Sequence, residues 1–324
     1  MQLLILVGQS RSGSTLLTRL MNEGHRAAII NDAYIVQLAD ELTGRLDFSP
    51  ATARRLAGEW LGIVKARSEP RAPASIHKPI VLSPETFAEL TKRVAEESKN
   101  WRDWPSIVSG TLEILAQLLR ADAFGWNTPP DYAHAERLLQ LLPKSKIVFL
   151  IRDPLAVLLS YKCLPDYWGD ERNRYNPFLQ SLVWRQMVRH YEAVATRFPQ
   201  RVHLTRYEDM IADPAKAMKR ISAFAGVAFD VPDIRTIGSN SSLGTGKTNG
   251  LSLIECWVCE RITGSLRRRY GYDTSAATRI PEWGVVGLFF SLWRSASFYA
   301  ARAVGSRDFR NRMLRFAKLL ISRH

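Results

Sequence analysis

The chain has 324 residues, of which 46% are hydrophobic and 23% are charged, as expected for a globular protein with a full apolar core. Its formal net charge of +14 favours an anionic partner, such as a phosphorylated cofactor or an acidic membrane surface. Half of that excess lies after Glu282, where seven arginines and one lysine stand against one aspartate. This distribution argues against a nucleic-acid groove across the whole protein.

The amino-terminal residues predict a strand, a glycine loop and a helix. Leu3–Val7 is a continuous apolar run, typical of a strand that is buried on both faces of a parallel sheet. The run is too short for an export signal or a membrane span, and we expect a cytoplasmic protein. The loop "GQSRSGST" (Gly8–Thr15) follows, and Ser14–Asn22 has apolar residues at helical spacing.

The glycine loop is predicted to bind an anion. Backbone N–H groups from Arg11 to Leu16 and the positive end of the following helix suit a phosphate or a sulfate. The hydroxyls of Ser12, Ser14 and Thr15 add further donors. The loop matches the nucleotide-kinase pattern except that a serine, residue 14, stands where kinases have a lysine. The missing lysine disfavours transfer of the γ-phosphoryl group of ATP.

A long helical part follows a second short strand. Ala27–Ile30 predicts this strand, which ends at Asn31 and Asp32. We interpret residues 35 to about 125 as a helical insertion that forms a lid or substrate-binding surface. Its clearest helical stretches are Pro50–Lys65, Ser83–Ser98 and Ser106–Leu119.

The core resumes with "KIVFLI" (Lys146–Ile151), which predicts a fully buried strand followed by a helix. Phe178–Phe198 predicts a long helix, and Val202–Tyr207 predicts the last strand. Alternating strands and helices indicate an α/β, P-loop-like three-layer fold with a central, mostly parallel sheet. Ligand sites are then expected at the carboxyl ends of the strands. We predict one domain over residues 1–275 and a basic C-terminal extension over residues 276–324.

A second anion-binding site is predicted directly after the strand Lys146–Ile151. In "RDPLAVLLS", Arg152 closes the strand and Ser160 lies eight residues later, about two turns into the next helix. A strand-end arginine and a helical serine can together hold a separate phosphate. In the alternative interpretation, Arg152 only pairs with Asp153 and Ser160 is a surface hydroxyl.

Two cysteines have the spacing of a zinc knuckle. They are Cys256 and Cys259, and the sequence offers neither a second cysteine pair nor a nearby histidine. We therefore expect two small buried side chains rather than a metal site.

Together, the two anion-binding motifs resemble the sulfotransferase family that uses 3′-phosphoadenosine-5′-phosphosulfate (PAPS). The resemblance begins with "RSGST" and "RDPLAVLLS" and continues with "RYEDMIADP" (Arg206–Pro214) and "LGTGKTNG" (Leu243–Gly250). "WNTPP" (Trp126–Pro130) resembles the bacterial and tyrosylprotein-sulfotransferase branch. Many relatives carry a lysine in that segment where this chain has Asn127. The resemblance covers residues 3 to about 273.

The resemblance implies a reaction and a set of cofactor-binding residues. The reaction is transfer of a sulfuryl group from PAPS to a hydroxyl or amine acceptor, which releases 3′-phosphoadenosine 5′-phosphate (PAP), and no metal is implied. Arg152 and Ser160 would hold the 3′-phosphate, Tyr207 would contact the adenine, and Lys247 lies on a further glycine-rich loop. Arg11 would also stabilise the leaving group. The residues implied for the phosphosulfate are Arg11, Ser12, Gly13, Ser14, Thr15 and Leu16.

The base that deprotonates the acceptor is predicted to be Asp32. In the tyrosylprotein-sulfotransferase branch a glutamate stands about twenty residues after the loop arginine, and Asn31-Asp32 occupies that position here. As an alternative, Asp32 only caps the helix that follows it. His25 and His77 are competing bases, because histidine titrates near neutral pH.

The carboxyl-terminal residues predict a membrane-binding surface. "WGVVGLFFSLWRSASFYAA" (Trp283–Ala301) holds one charge, and Arg302–Arg323 predicts a basic amphipathic helix. We expect residues 283–324 to attach peripherally to an anionic membrane, on its inner face. A helix packed on the core and a full membrane span are the alternatives.

Two other functions stay open on the sequence. One is a P-loop kinase that uses ATP and magnesium, and the other is a catalytically silent, membrane-associated protein that keeps the nucleotide fold as a scaffold. The acceptor of the sulfotransferase reaction stays open among sugars, lipids, peptides and small molecules. No nucleic-acid partner is expected.

Overall fold

The computed structural model of the protein describes residues 1–24, 26–43, 49–69, 80–163, 175–230, 250–272 and 284–305. The chain divides into two compact units. Unit 1 comprises Met1–Ile151 and Val194–Leu243, and unit 2 comprises Arg152–Ala193 and Gly244–His324.

Unit 1 is built on a parallel β-sheet. Its five described strands are β1 (Gln2–Gly8), β2 (Ala27–Asn31), β3 (Ala123–Asn127), β4 (Lys146–Ile151) and β5 (Val202–Arg206). They lie in the order β2-β3-β1-β4-β5, and all neighbouring pairs are parallel. The carboxyl ends of the strands therefore meet at one edge of the sheet, where α/β folds bind their ligands.

Helices make up most of the remaining described structure. They are α1 (Ser14–Glu23), α2 (Ile35–Thr43), α3 (Pro50–Ser68), α4 (Pro84–Glu97), α5 (Trp104–Leu118), α6 (Ala135–Leu141), α7 (Pro154–Lys162), α8 (Pro177–Arg197), α9 (Tyr207–Ala212), α10 (Pro214–Ala225), α11 (Leu253–Arg269) and α12 (Gly284–Gly305).

Both faces of the sheet are covered, which confirms the predicted α/β three-layer fold. Leu4 and Ile5 point to opposite faces of β1, since side chains alternate along a strand, and both are completely buried. On one face, Leu4 packs in a cluster with Leu17 of α1 and Ile221 of α10. Burying each such side chain stabilises the fold by about 1.5–3 kcal/mol.

Five helices begin with a serine or an aspartate that is followed within two residues by proline. The side chain of each capping residue accepts a hydrogen bond from a backbone N–H of the first turn. Proline fits there because its missing N–H would have no partner inside the helix. The capping residues are Ser49, Ser83, Asp103, Asp153 and Asp213. These local signals explain why the helices predicted in the insertion are found close to their predicted positions.

Strand β3 corrects the predicted end of the insertion. The sequence predicts that the helical part extends to residue 125, but "AFGWN" forms a central strand between β2 and β1. The segment is short and has a glycine in its middle, so it lacks the apolar run that reveals β1 and β4. Gly125 is required, because its φ is +155° and a Cβ there would lie 1.7 Å from the carbonyl oxygen of Leu4. The insertion therefore consists of α2 to α5 and ends before β3.

The two cysteines of α11 are buried, as predicted. Cys256 and Cys259 lie in an apolar cluster with Leu155 and Leu158 of α7. Burial raises the pKa of the Cys259 thiol to about 12. Such a thiol stays protonated and unreactive at neutral pH.

The last described helix, α12, covers most of the predicted apolar segment Trp283–Ala301. Most of the predicted basic helix, residues 306–324, lies outside the described residues, as does the predicted domain boundary at residue 275. That boundary stays a prediction. No helix in the described part of the chain is both long enough and apolar enough to cross a membrane.

Candidate functional site

The loop between β1 and α1 has a backbone that is unusual for side-chain-bearing residues. Arg11 adopts a left-handed conformation with φ of +73°, and Gly13 follows with φ of +95°. A left-handed residue with a Cβ costs about 1–2 kcal/mol, and such strain is concentrated at functional sites. Turns of this kind aim successive backbone N–H groups at one point, as in anion-binding loops.

The amino terminus of α1 supplies the backbone donors of this loop. The first bond inside the helix runs from the N–H of Leu17 to the carbonyl of Gly13, at 3.1 Å. The N–H groups of Ser14, Thr15 and Leu16 therefore have no partner within the helix, and Gly13 has no side chain to cap them. Among the donors predicted from Arg11 to Leu16, the N–H of Ser12 is used inside the loop, where it bonds the carbonyl of Gln9 at 3.1 Å.

Ser12 is the residue of the loop that most clearly indicates a missing ligand. Its side chain is completely buried, and its hydroxyl has no hydrogen-bond partner in the described part of the chain. A buried hydroxyl without a partner costs about 1–3 kcal/mol. An anion oxygen bound in the loop would remove that cost.

Tyr207 lies against the same loop. It was predicted as the end of the last strand, but it is the first residue of α9, directly after β5. A Cβ on Gly13 would lie 2.4 Å from the Tyr207 ring. The second glycine of the motif is therefore needed both for its left-handed φ and for the close approach of this ring.

Asp32, the predicted base, lies at the same edge of the sheet as the loop. It directly follows the last residue of β2 and has a left-handed φ of +53°. One strand separates β1 from β2, so their axes lie roughly 10 Å apart. The helix after Asp32 begins at Ile35, and Leu38 bonds the carbonyl of Tyr34. Tyr34 is therefore the capping position, and Asp32 lies two residues before it.

Two asparagines that sequence reasoning did not combine connect β3 to Asp32. Asn31 and Asn127 are paired as the last residues of β2 and β3. The side-chain amide of Asn127 donates to the amide oxygen of Asn31, whose own NH₂ group donates to the Asp32 carboxylate at 3.4 Å. Asn127 is completely buried, and its amide oxygen has no hydrogen-bond partner among the described residues. The available signals were that Asn31 directly follows the predicted strand Ala27–Ile30 and that Asn127 lies in the motif "WNTPP".

In unit 2, several side chains hold the backbone of the predicted second anion-binding site. The carbonyl of Arg152 accepts a hydrogen bond from the indole N–H of Trp184 at 2.8 Å. Asp153 accepts from the N–H of Leu155 at 3.0 Å and from the guanidinium of Arg267 at 3.1 Å. Arg267 is only 4% exposed and also binds Glu260. These contacts fix the backbone at the start of α7, the helix that carries Ser160.

Glu255 fixes the other end of α7. Its carboxylate accepts hydrogen bonds from Lys162 at 2.8 Å, from Tyr175 at 2.7 Å and from the N–H of Ser252 at 2.6 Å. Burial alone would raise the pKa of Glu255, but these hydrogen bonds outweigh it and lower the pKa below its ordinary value. Burial and the neighbouring Glu255 carboxylate raise the pKa of Tyr175.

Lys247, His25 and His77 lie outside the described residues. Their assigned roles stay predictions.

Comparison with known proteins identifies the family. A family model described as "Sulfotransferase family" matches residues 4–231, more than two thirds of the chain. The chain belongs to the sulfotransferase family. The resemblance found in the sequence motifs is thereby confirmed, and the matched range includes the glycine loop, Asp32, Arg152, Ser160 and Tyr207.

Solved sulfotransferases are similar to this chain. The sulfotransferase domain from the curacin biosynthetic pathway is 17% identical and superposes with a TM-score of 0.50, over 84% of this chain and 98% of that one. The corresponding domain of the Synechococcus PCC 7002 olefin synthase is 18% identical, with a TM-score of 0.45 over 91% and 94% of the two chains. A sulfotransferase from Mycobacterium avium is 17% identical, with a TM-score of 0.45 over 84% and 77%. A comparison with curated protein sequences finds no match.

Proposed function

We propose that this sulfotransferase transfers a sulfuryl group from PAPS to a hydroxyl or amine acceptor and releases PAP. The observation that carries the proposal is the loop between β1 and α1. Its helix N-terminus presents the N–H groups of Ser14, Thr15 and Leu16, and the buried Ser12 hydroxyl lacks a partner among the described residues. A phosphosulfate presents several anionic oxygens to such donors.

In the proposed complex, the glycine loop holds the 5′-phosphosulfate. Arg11 lies in this loop, where its positive charge would stabilise the phosphate oxygen that leaves the sulfur. The hydroxyls of Ser12 and Thr15 supplement the backbone donors. The scheme needs no metal ion, because Arg11 and the helix N-terminus supply the positive potential.

The nucleotide part of PAPS is assigned to residues with separate roles. Arg152 and Ser160 bind the 3′-phosphate, and the bonds of Trp184 and Arg267 support this by holding the backbone at the start of α7. Tyr207 contacts the adenine, and Lys247 helps to hold the nucleotide. A guanidinium and a hydroxyl suit a phosphate because both donate charge-assisted hydrogen bonds.

Asp32 acts as the base in the proposed reaction. Its carboxylate accepts the proton of the acceptor hydroxyl or amine as the acceptor atom forms a bond to sulfur. The bond between sulfur and the bridging phosphate oxygen breaks, and the electron pair stays on that oxygen in the loop. The hydrogen bonds from Asn127 to Asn31 and from Asn31 to Asp32 support the assignment, because they restrict the orientation of the carboxylate.

The proposal can be tested by thermal melting with different nucleotides. PAP without magnesium should raise the melting temperature, because a ligand that binds only the folded state stabilises it by mass action. ADP and ATP, with and without magnesium, should have smaller effects. The shift caused by PAP should be largely lost in Arg152→Ala and kept in Arg54→Ala, an exposed arginine of α3.

Other outcomes would reject the proposal. Stabilisation by ATP with magnesium and not by PAP would favour the kinase. No stabilisation by any nucleotide would favour the silent scaffold.

A further inference from the structure

The carboxyl-terminal helix α12 has one side turned towards the rest of unit 2. Ser295 is only 1% exposed, and its hydroxyl oxygen lies 3.3 Å from the side-chain NH₂ group of Asn176 in the same unit. This contact uses a small polar residue rather than one of the large apolar side chains of the helix.

The opposite side of α12 exposes an apolar stripe. Steps of three and four residues put its members on one side of the helix. Trp293 is 65% exposed and Val304 is 85% exposed. The stripe consists of Val286, Phe289, Trp293, Ala296, Ala300 and Val304. A continuous exposed apolar face that contains tryptophan and phenylalanine is typical of a binding surface.

The positive charge of the sequence around and after α12 indicates what the stripe binds. The residues after Glu282 hold seven arginines and one lysine against one aspartate, and most of these charges follow α12 directly. Arg302, near the end of α12, is exposed and lies 4.9 Å from the ring of Phe298. Binding a second copy of the chain would bring two such positive segments together, and repulsion between their like charges would weaken that contact. An anionic surface would attract them.

We infer that α12 docks its apolar stripe onto an anionic lipid bilayer, which attracts the positive charge of the sequence after it. The apolar stripe enters the boundary between headgroups and acyl chains, where tryptophan is favoured. The arginines are attracted by the negative surface potential of the leaflet. This inference concerns unit 2 alone and does not rest on the proposed reaction.

The test is co-sedimentation of the full chain with lipid vesicles. One set is pure phosphatidylcholine, and the other contains about one third phosphatidylglycerol, so that only the second carries a negative surface. The wild-type protein should bind the anionic vesicles and be released by high salt, which screens the attraction. It should bind the neutral vesicles much more weakly.

Two variants separate the apolar and the charged contributions. Phe289→Ser with Trp293→Ser should lower the partition coefficient onto anionic vesicles about tenfold or more. Arg310→Gln with Arg312→Gln and Arg315→Gln should lower it by a similar factor and reduce the preference for anionic lipid. The matched control is Val81→Ser with Leu253→Ser, two exposed apolar residues outside the stripe, and it should bind like the wild type. The stripe variant and the control should keep the wild-type melting temperature, since their changed side chains are exposed.

Three results would overturn the inference. The first is a wild-type protein that stays in the supernatant with anionic vesicles. The second is a stripe variant that binds as well as the control. The third is self-association without vesicle binding, measured by analytical ultracentrifugation and lost in the stripe variant, because the stripe would then bind a second copy.

Discussion

The carboxyl edge of the sheet in unit 1 and the carboxylate network of unit 2 differ in how their polar groups are satisfied. At the sheet edge, Ser12 and Asn127 are completely buried, yet each has a side-chain oxygen without a hydrogen-bond partner among the described residues. In unit 2, Asp153 accepts hydrogen bonds from Leu155 and Arg267, and Glu255 accepts them from Lys162, Tyr175 and Ser252. Satisfied networks stabilise a fold, whereas unsatisfied buried groups next to strained backbone are typical of a site that awaits a ligand.

The backbone shows the same contrast. Four non-glycine residues in the described part of the chain have positive φ. Arg11, Asp32 and Tyr34 lie in the loops after β1 and β2, and Arg120 lies three residues before β3. The described residues of unit 2 have Gly271 as their positive-φ position, where glycine adopts the conformation without strain. At the sheet edge where the reaction is proposed, each strained residue of unit 1 therefore lowers the free energy of unfolding by about 1–3 kcal/mol.

The largest effect on turnover is expected from Asp32→Asn, at the carboxyl edge of the sheet in unit 1. The amide cannot accept the acceptor proton, so turnover of PAPS should fall by roughly two to four orders of magnitude while PAP binding is retained. The measurement is PAP release with an acceptor that the wild-type enzyme sulfonates.

The matched control is Asp122→Asn, a half-buried aspartate immediately before β3 that pairs with Arg26. It should have nearly wild-type turnover. Full activity of Asp32→Asn would contradict the assignment and direct attention to His25 and His77.

A smaller effect, on stability instead of turnover, is expected from Glu255→Gln in the satisfied network. Loss of the charge weakens the hydrogen bonds from Lys162, Tyr175 and Ser252, and the free energy of unfolding at neutral pH should fall by about 1–2 kcal/mol. Because the folded-state pKa of Glu255 is lowered, its stabilising contribution is present above the ordinary pKa of 4.5 and declines as the pH falls below it.

Thermal melts from pH 7 down to pH 3 measure this contribution. The difference between wild type and Glu255→Gln should shrink below pH 4.5, the ordinary pKa of the group. The control is Glu113→Gln, which changes an exposed carboxyl of α5. It should change the free energy of unfolding by less than about 0.5 kcal/mol at every pH measured. A difference that is constant over the whole range would show that the Glu255 charge does not stabilise unit 2.

Local sequence signals predicted much of the fold. The apolar runs of β1 and β4, the glycine loop and the helical stretches of the insertion were predicted because each depends on neighbouring residues. Strand β3 was missed because its stability comes from the strands on either side, which compensate for Gly125.

The site was predicted less completely, for the same reason. Arg11, Asp32 and Tyr207 were each proposed as site residues from the sequence, but the link from Asn127 through Asn31 to Asp32 depends on the register of two strands that are far apart in the chain. Likewise, the sequence marks Ser12 as a donor, and only the packed structure shows that its hydroxyl is buried without a partner among the described residues.

The most direct test of the central claim is calorimetric titration of PAP into Ser12→Ala and its control, together with their melting temperatures without ligand. Ser145→Ala is the control, because Ser145 is equally buried in unit 1 but its hydroxyl donates to the carbonyl of Leu142 at 2.7 Å. Ser12→Ala should melt at or above the wild-type temperature and bind PAP about five- to tenfold more weakly, whereas Ser145→Ala should lose about 1 kcal/mol of stability and keep its affinity for PAP. If Ser12→Ala is destabilised and binds PAP like the wild type, the loop after β1 is not the phosphosulfate site.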